Sequence, residues 1–391
     1  MGTPEFAVAS LTSLYEAGHG LPLVITQPDR ARGRGQKTAF SPVKAYALDK
    51  GLELYQPDTL HEPEVLERIR NAEPDVIVVA AYGKQLPPDM LEAAPLGCIN
   101  VHTSLLPAYR GAAPIQWVLL NGEKETGVTI MQMDEGIDTG PILMQKRMPI
   151  PENMDYGSLV ATLAEQGAEL LLNTLPLWAD GHLRPMDQPA AGITYAPLLQ
   201  RRHERIDWTC PAEAIRNQIR AFCPSPGAFT YVGDREIKIL GAQALPDEGA
   251  SPQGEATRRD AQGQSPGQTQ GRGPEQEQGR GPEQAPGHEP MQAPGHEPMQ
   301  APGQAPGQAQ GCGPVQEPEQ APMHVPGQIL GFVRGKGLIV ATGEGRLLIT
   351  TVQPEGKAPM DAWAWKNGSR VEAGQVFGHA QAGRTDGVCG T

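Results

Sequence analysis

Apolar residues in the first half of the chain alternate between short β-rich runs and longer stretches with helical spacing. Runs at residues 21–27, 75–82, 98–102, 127–133 and 142–148 predict strands. Between them, residues 10–17, 63–71 and 114–120 predict helices, and a longer helix at 156–178 places Leu159, Leu163, Leu170 and Leu171 on one face. Strands and helices alternating in this way predict the α/β class, with a parallel sheet wrapped by helices. Over 187–203 the pattern weakens into a linker. A second region then opens with a helix near 211–222, followed by short strands at 236–240, 328–333, 337–341 and 346–351. Glycines punctuate these strands as they would in a small β-barrel.

That second region is interrupted at 247–324 by a segment made largely of Gly, Pro, Gln and Glu, in which residues 287–294 recur at 295–302. With almost no aliphatic or aromatic side chains to bury, it cannot offset its ordering entropy and is predicted to be disordered. A slipped tandem repeat in a surface loop accounts for it better than a partner-binding arm, because loop-closure entropy grows only logarithmically with length. The expected division is a first domain at 1–186, the linker at 187–203, a second domain at 204–378 carrying the insertion, and a tail at 379–391. Met1-Gly2-Thr3-Pro4-Glu5-Phe6 reads as the turn after a strand that is not there. The first strand of a doubly wound sheet is normally internal, so the expectation is that the true start lies upstream.

Composition narrows the function. Lys and Arg together number 32 against 45 Asp and Glu, a net charge of -13, which argues against binding nucleic acid through an overall positive field. Any RNA contact has to be local. The five cysteines are scattered, with neither a disulfide framework nor zinc spacing, and no metal is expected. No apolar run is long enough to suggest a membrane span, and no secretory leader or myristoylation signal opens the chain. A cytoplasmic protein is the expectation.

Candidate chemistry concentrates in residues 100–111, Asn100-Val101-His102-Thr103-Ser104-Leu105-Leu106-Pro107-Ala108-Tyr109-Arg110-Gly111. Asn100 and His102 stand two positions apart at the end of a predicted strand, so both face the same way, toward the crevice where open α/β sheets bind ligands. An amide beside an imidazole suits a developing oxyanion in acyl transfer; a structural Asn beside a satisfied His is the bland alternative. A second cluster, Asp134-Glu135-Gly136-Ile137-Asp138-Thr139-Gly140, puts carboxylates in a glycine-hinged loop, where they either orient His102 or serve as solvated turn formers. Arg30, Arg32, Arg34 and Lys37 make a basic loop opposed nearby only by Asp29, a solvated turn or a phosphate contact. Thr38 stands where a dinucleotide fingerprint needs its third glycine, so nicotinamide binding is rejected.

Residues 1–8, Thr26-Gln27-Pro28-Asp29-Arg30, Gly33-Arg34-Gly35, Ser41-Pro42-Val43-Lys44, residues 100–117 and residues 127–140 together resemble the methionyl-tRNA formyltransferase family. The resemblance runs in register from residue 1 to about 245 and again from about 325 to 378. It implies a Rossmann-like formyltransferase domain followed by a small OB-like β-barrel domain. It also implies transfer of a formyl group from 10-formyltetrahydrofolate, as co-substrate, to the α-amino group of methionyl initiator tRNA, by a monomeric enzyme acting without a metal. Asn100, His102 and Asp138 match the family's catalytic triad; Ser104, Leu105, Leu106 and Pro107 match its folate-binding segment. Arg30, Arg32, Arg34 and Lys37 match its tRNA-binding insertion, Arg34 aligning with the principal arginine. Ser225 stands where relatives often carry Trp, and Ala358 lies in a stretch where relatives carry extra basic residues. Competing readings are a folate-dependent formyltransferase with a sugar-nucleotide acceptor, which would lack the basic loop, and a catalytically silent RNA-binding protein.

Overall fold

The computed structural model describes residues 1–32, 37–245 and 324–378. All but the last residue of the 247–324 segment, the 379–391 tail and Arg34 therefore lie outside the described residues.

The first region runs α1 (Glu5–Glu16), β1 (Val24–Ile25), β2 (Arg30–Arg32), β3 (Lys37–Ala39), α2 (Pro42–Asp49), β4 (Leu54–Tyr55), α3 (Pro63–Asn71), β5 (Ile77–Val79), α4 (Pro88–Leu91), β6 (Cys98–His102), α5 (Pro114–Leu120), β7 (Glu125–Gln132), β8 (Ile142–Pro149) and α6 (Tyr156–Ala179). Several starts follow from local chemistry. Proline opens α2, α3 and α5, a first-turn position where its missing N–H costs nothing. Ser41 and Asp155 cap α2 and α6 by accepting from Lys44 N and Ser158 N at 3.1 and 2.8 Å.

The sheet that carries the candidate site has the order β5-β6-β7-β8. Only β5 and β6 run parallel within it; β7 is antiparallel to both β6 and β8. The expected parallel sheet is thus corrected to a mixed one. The loop from β7 to β8 is too short for the crossover that parallel neighbours need. A separate parallel pair joins β1 to β4. Met1 and Gly2 lie between the two ladders: Gly2 N donates to Ile25 O at 3.0 Å and Ala80 N donates to Met1 O at 2.9 Å. A cavity of about 130 Å³ lined by Leu11, Leu14, Leu21, Val43 and Val76 adjoins them.

α6 covers the back of β6 and β7. Leu159, Leu163 and Leu171 are fully buried there, each contributing roughly 1.5–3 kcal/mol by removal from water. Gly167 permits the close approach, since a Cβ at that position would lie 2.8 Å from Val101 Cγ1 and 3.5 Å from Val128 Cγ1. Val101 sits between Asn100 and His102 in β6. Because alternate strand residues face opposite ways, the core under Val101 sets the height of the two polar side chains above it.

The second region comprises α7 (Arg201–Glu204), α8 (Ala212–Phe222), β9 (Ala228–Val232), β10 (Arg235–Leu245), β11 (Ile329–Val333), β12 (Gly337–Ala341), β13 (Arg346–Pro354), β14 (Met360–Asp361) and α9 (Ala362–Ser369). Its antiparallel sheet has the order β11-β12-β13-β10-β9, with β14 paired to β13. Trp208 anchors the chain's entry into this sheet by stacking on Phe377 at 5.3 Å while its Nε1 donates to Thr230 Oγ1 at 3.0 Å. One buried apolar cluster runs from Phe6 through α6 and α8 to Phe377, so the two regions share a continuous core.

Cys98 and Cys223 are free thiols, and burial pushes both up to about 12. Among the described residues no helix is long and apolar enough to cross a membrane.

Candidate functional site

β6 is held on both sides, by β5 and by β7, with Asn100 opposite Val79 and Met131 and His102 opposite Thr129. The final residues of an internal strand have little freedom, so Asn100 and His102 are presented rigidly at its carboxyl end. The β7–β8 loop then brings Asp138 to them. Asp134 shapes that loop: its Oδ1 accepts from Gly136 N at 3.1 Å and from Thr139 Oγ1 at 2.7 Å. Asp138 itself adopts a left-handed backbone, φ 54°, a conformation Asp tolerates better than most residues.

The three side chains expected to act together are brought together. Asn100 Nδ2 donates to Asp138 Oδ1 at 3.4 Å, and His102 Nδ1 lies 3.5 Å from the same oxygen. Asp138 Oδ2 accepts from Gly111 N at 2.8 Å. His102 Nε2 faces Tyr109 O at 3.1 Å, so both ring nitrogens confront oxygen acceptors. The imidazole is 6% exposed and the carboxylate 15%, which strengthens their mutual electrostatics relative to open water.

Ser104, Leu105, Leu106 and Pro107 follow β6 directly. Ser104 and Leu106 are buried: Ser104 Oγ donates to Ala108 O at 2.6 Å, and Leu106 packs with Met131 and Ile142. What this segment offers a ligand is its backbone and the half-buried side chains of Leu105 and Pro107. Its shape is fixed from beneath, where Thr129 Oγ1 donates to Ser104 O at 2.7 Å and accepts from Leu106 N at 3.2 Å, while Gln145 Nε2 donates to Leu106 O at 2.9 Å. Gly127 makes room for Leu105, because a Cβ there would stand 2.6 Å from Leu105 Cδ2 and 2.2 Å from Lys146 O.

The basic loop is a hairpin of β2 and β3, in which Arg32 pairs with Lys37 and Arg30 with Ala39. Asp29 precedes it. Its carboxylate is engaged by Lys44 and by Gln56 Nε2, at 3.0 Å from the latter, and these hydrogen bonds hold it below the usual carboxylate range.

Sequence reasoning passed over the strap at 186–197. Tyr109 N donates to Thr194 Oγ1 at 2.8 Å, Arg110 N to Thr194 O at 2.9 Å and Trp117 Nε1 to Pro197 O at 2.8 Å. Gln188 reaches the Asp138 loop. The strap has no apolar periodicity, and its partners lie far away along the chain, so no local pattern marks it. Among the described residues no group of three or more His, Cys, Asp or Glu side chains is placed to hold a metal ion.

The family described as formyl transferase matches residues 1–175, and the formyl transferase C-terminal domain matches residues 198–271 and 306–370. A methionyl-tRNA formyltransferase of Caldanaerobacter subterraneus subsp. tengcongensis is 49% identical over 255 residues, covering 65% of this chain and 82% of its own. One from Myxococcus xanthus is 48% identical over 250 residues, covering 64% and 80%. Similarity to the methionyl-tRNA formyltransferase of Symbiobacterium thermophilum extends across the second region, at 39% identity over 382 residues covering 98% of this chain and 95% of that one. With both domains matched and Asn100, His102 and Asp138 gathered at one strand end, the chain belongs to the methionyl-tRNA formyltransferase family and is a formyl-transferring enzyme.

Proposed function

We propose that the chain transfers the formyl group of 10-formyltetrahydrofolate to the α-amino group of methionine on initiator tRNA, with Asn100, His102 and Asp138 as the catalytic residues. One observation carries the chemical reading: a single carboxylate, Asp138, engages Asn100, His102 and a backbone N–H at once. In the reaction the amine, as its free base, attacks the formyl carbon, and the carbonyl oxygen takes up negative charge. The Asn100 amide receives that oxygen. Its bond to Asp138 at 3.4 Å is at the weak end of the range, so turning toward substrate sacrifices little. A His102 ring protonated at both nitrogens satisfies Tyr109 O and Asp138 together and adds positive charge beside the oxyanion. The new C–N bond forms as the amine gives up a proton, and the bond to N10 breaks as N10 takes one up. Asp138 keeps the imidazole oriented through both transfers.

The folate is assigned to the segment Ser104, Leu105, Leu106 and Pro107, through its backbone and the Leu105 and Pro107 side chains. Arg30, Arg32, Arg34 and Lys37 are assigned to phosphates of the acceptor arm, consistent with a local basic feature on an acidic chain. The antiparallel sheet of the second region is read as an OB-like barrel adding RNA contacts, with Ser225 and Ala358 as departures from relatives. A monomeric, cytoplasmic enzyme fits this reading.

The test is an acceptor panel. Supplied with 10-formyltetrahydrofolate, the protein is expected to formylate charged initiator tRNA while leaving a sugar-nucleotide amine and uncharged tRNA unmodified. Formylation of the sugar in preference to the aminoacyl-tRNA would overturn the assignment.

A further inference from the structure

Asp138 has to hold a left-handed backbone while its carboxylate reaches three partners. Strain of this kind persists only where the surroundings over-determine it. Beside the Asp134 contacts that shape the loop, one amide bears directly on the Asp138 backbone. Gln188 Nε2 donates to Asp138 O at 2.8 Å and to Gly140 O at 2.7 Å, clamping both sides of the loop's tightest point. Gln188 Oε1 accepts from Arg110 Nε at 3.0 Å and from Arg110 Nη2 at 2.7 Å. A guanidinium has donors only, so Arg110 fixes which way the Gln188 amide faces and commits its NH2 to the two carbonyls.

Arg110 is itself immobile. It is 7% exposed, and its backbone O accepts from Ala196 N at 2.7 Å. The next residue, Gly111, donates to the Asp138 carboxylate. Gly111 has φ 119°, and a Cβ there would lie 2.8 Å from Ala196 O. Two successive residues therefore grip Asp138 at both ends, Gly111 through its side chain and Arg110, by way of Gln188, through its backbone.

We propose that Gln188, oriented by Arg110, is a positioning residue of the formyl-transfer site, holding residues 138–140 in the conformation that presents the Asp138 carboxylate to Asn100 and His102. The proposal rests on the reading above that Asp138 is catalytic.

Gln188→Glu tests it. The new carboxylate keeps an ionic partner in Arg110 but turns an acceptor toward the carbonyls of Asp138 and Gly140, repelling the loop. If that variant does not fold, Gln188→Asn serves instead, keeping a neutral amide too short to span Arg110 and both carbonyls. Turnover is expected to fall roughly tenfold to a hundredfold, the scale on which a misplacement of about 1 Å acts, with KM for both substrates little changed. On an Asp138→Ala background the same substitution is expected to cost less than about twofold, because it acts through Asp138. Near-normal turnover in the folded variant, or a loss undiminished on the Asp138→Ala background, overturns the proposal; a merely structural Gln188 would lower activity in both backgrounds alike. Failure of the underlying reading has a different signature. In that case wild-type protein makes no formylmethionyl-tRNA, or Asp138→Ala keeps full turnover, and the Gln188 proposal falls with it.

Discussion

Asn100→Ala is expected to lower turnover roughly a hundredfold or more, the usual scale for losing one oxyanion donor. The change removes the Nδ2 that lies 3.4 Å from Asp138 and nothing on which the fold depends. Asn100 is in β6, whose ladders to β5 and β7 are made by backbone groups, and Ala leaves them intact. KM for the folate and the tRNA should therefore move little, and the melting temperature should stay close to that of the unaltered protein. Rapid-quench formylation of charged initiator tRNA at saturating substrate measures the effect. Turnover within a few-fold of the unaltered enzyme would remove Asn100 from the chemistry.

Leu163→Ala is expected to cost about 2–5 kcal/mol of stability. Leu163 is fully buried on α6, in a helix lying so close to the sheet that a methyl group at Gly167 would stand only 2.8 Å from Val101 Cγ1. A backbone approach that tight leaves little freedom for the helix to settle into the vacated volume, so the cavity term should be felt. Domain stabilities are commonly only about 5–15 kcal/mol, which makes this a large fraction. The urea midpoint should fall with little change in slope. A midpoint shift equivalent to less than about 1 kcal/mol would show that α6 relaxes freely and does not set the height of β6.

How much of this was legible beforehand differs by element. β6, α3, α5 and β12 stand at the bounds read from periodicity and turn residues, because in each the local cues and the tertiary context agree. Strand direction was not legible. β7 and β8 have strong apolar runs, and nothing in an apolar run says which way its neighbour points; the shortness of the β7–β8 loop was the available cue, and it was outweighed by the alternation upstream. α2 was missed despite Ser41 as its cap and Pro42 at its first turn, and α1 begins earlier than expected, at Glu5. β9 and α9 were missed as well.

Within the site, strand alternation alone put Asn100 and His102 on one face of β6 but left a structural Asn beside a satisfied His as the alternative. Asp138 needed the resemblance to choose it over the neighbouring carboxylates, since a glycine-hinged loop hides where each will point. The structure separates their roles: Asp134 turns inward to Gly136 and Thr139 to build the loop, leaving Asp138 to reach the strand. Gln188 was unreadable because its partners are Asp138, Gly140 and Arg110, all distant along the chain. Hydrogen bonds between such segments leave no local pattern.

The central claim is that one formyl carbonyl is served by Asn100 and by the His102–Asp138 pair acting as a unit. A double-mutant cycle on the single-turnover rate addresses it most directly, using Asn100→Ala, Asp138→Ala and the combination, with both substrates saturating. The account predicts strong non-additivity, the double variant being little slower than the worse single one. Losses that multiply in full would mean that the two groups serve separate steps, and would contradict it.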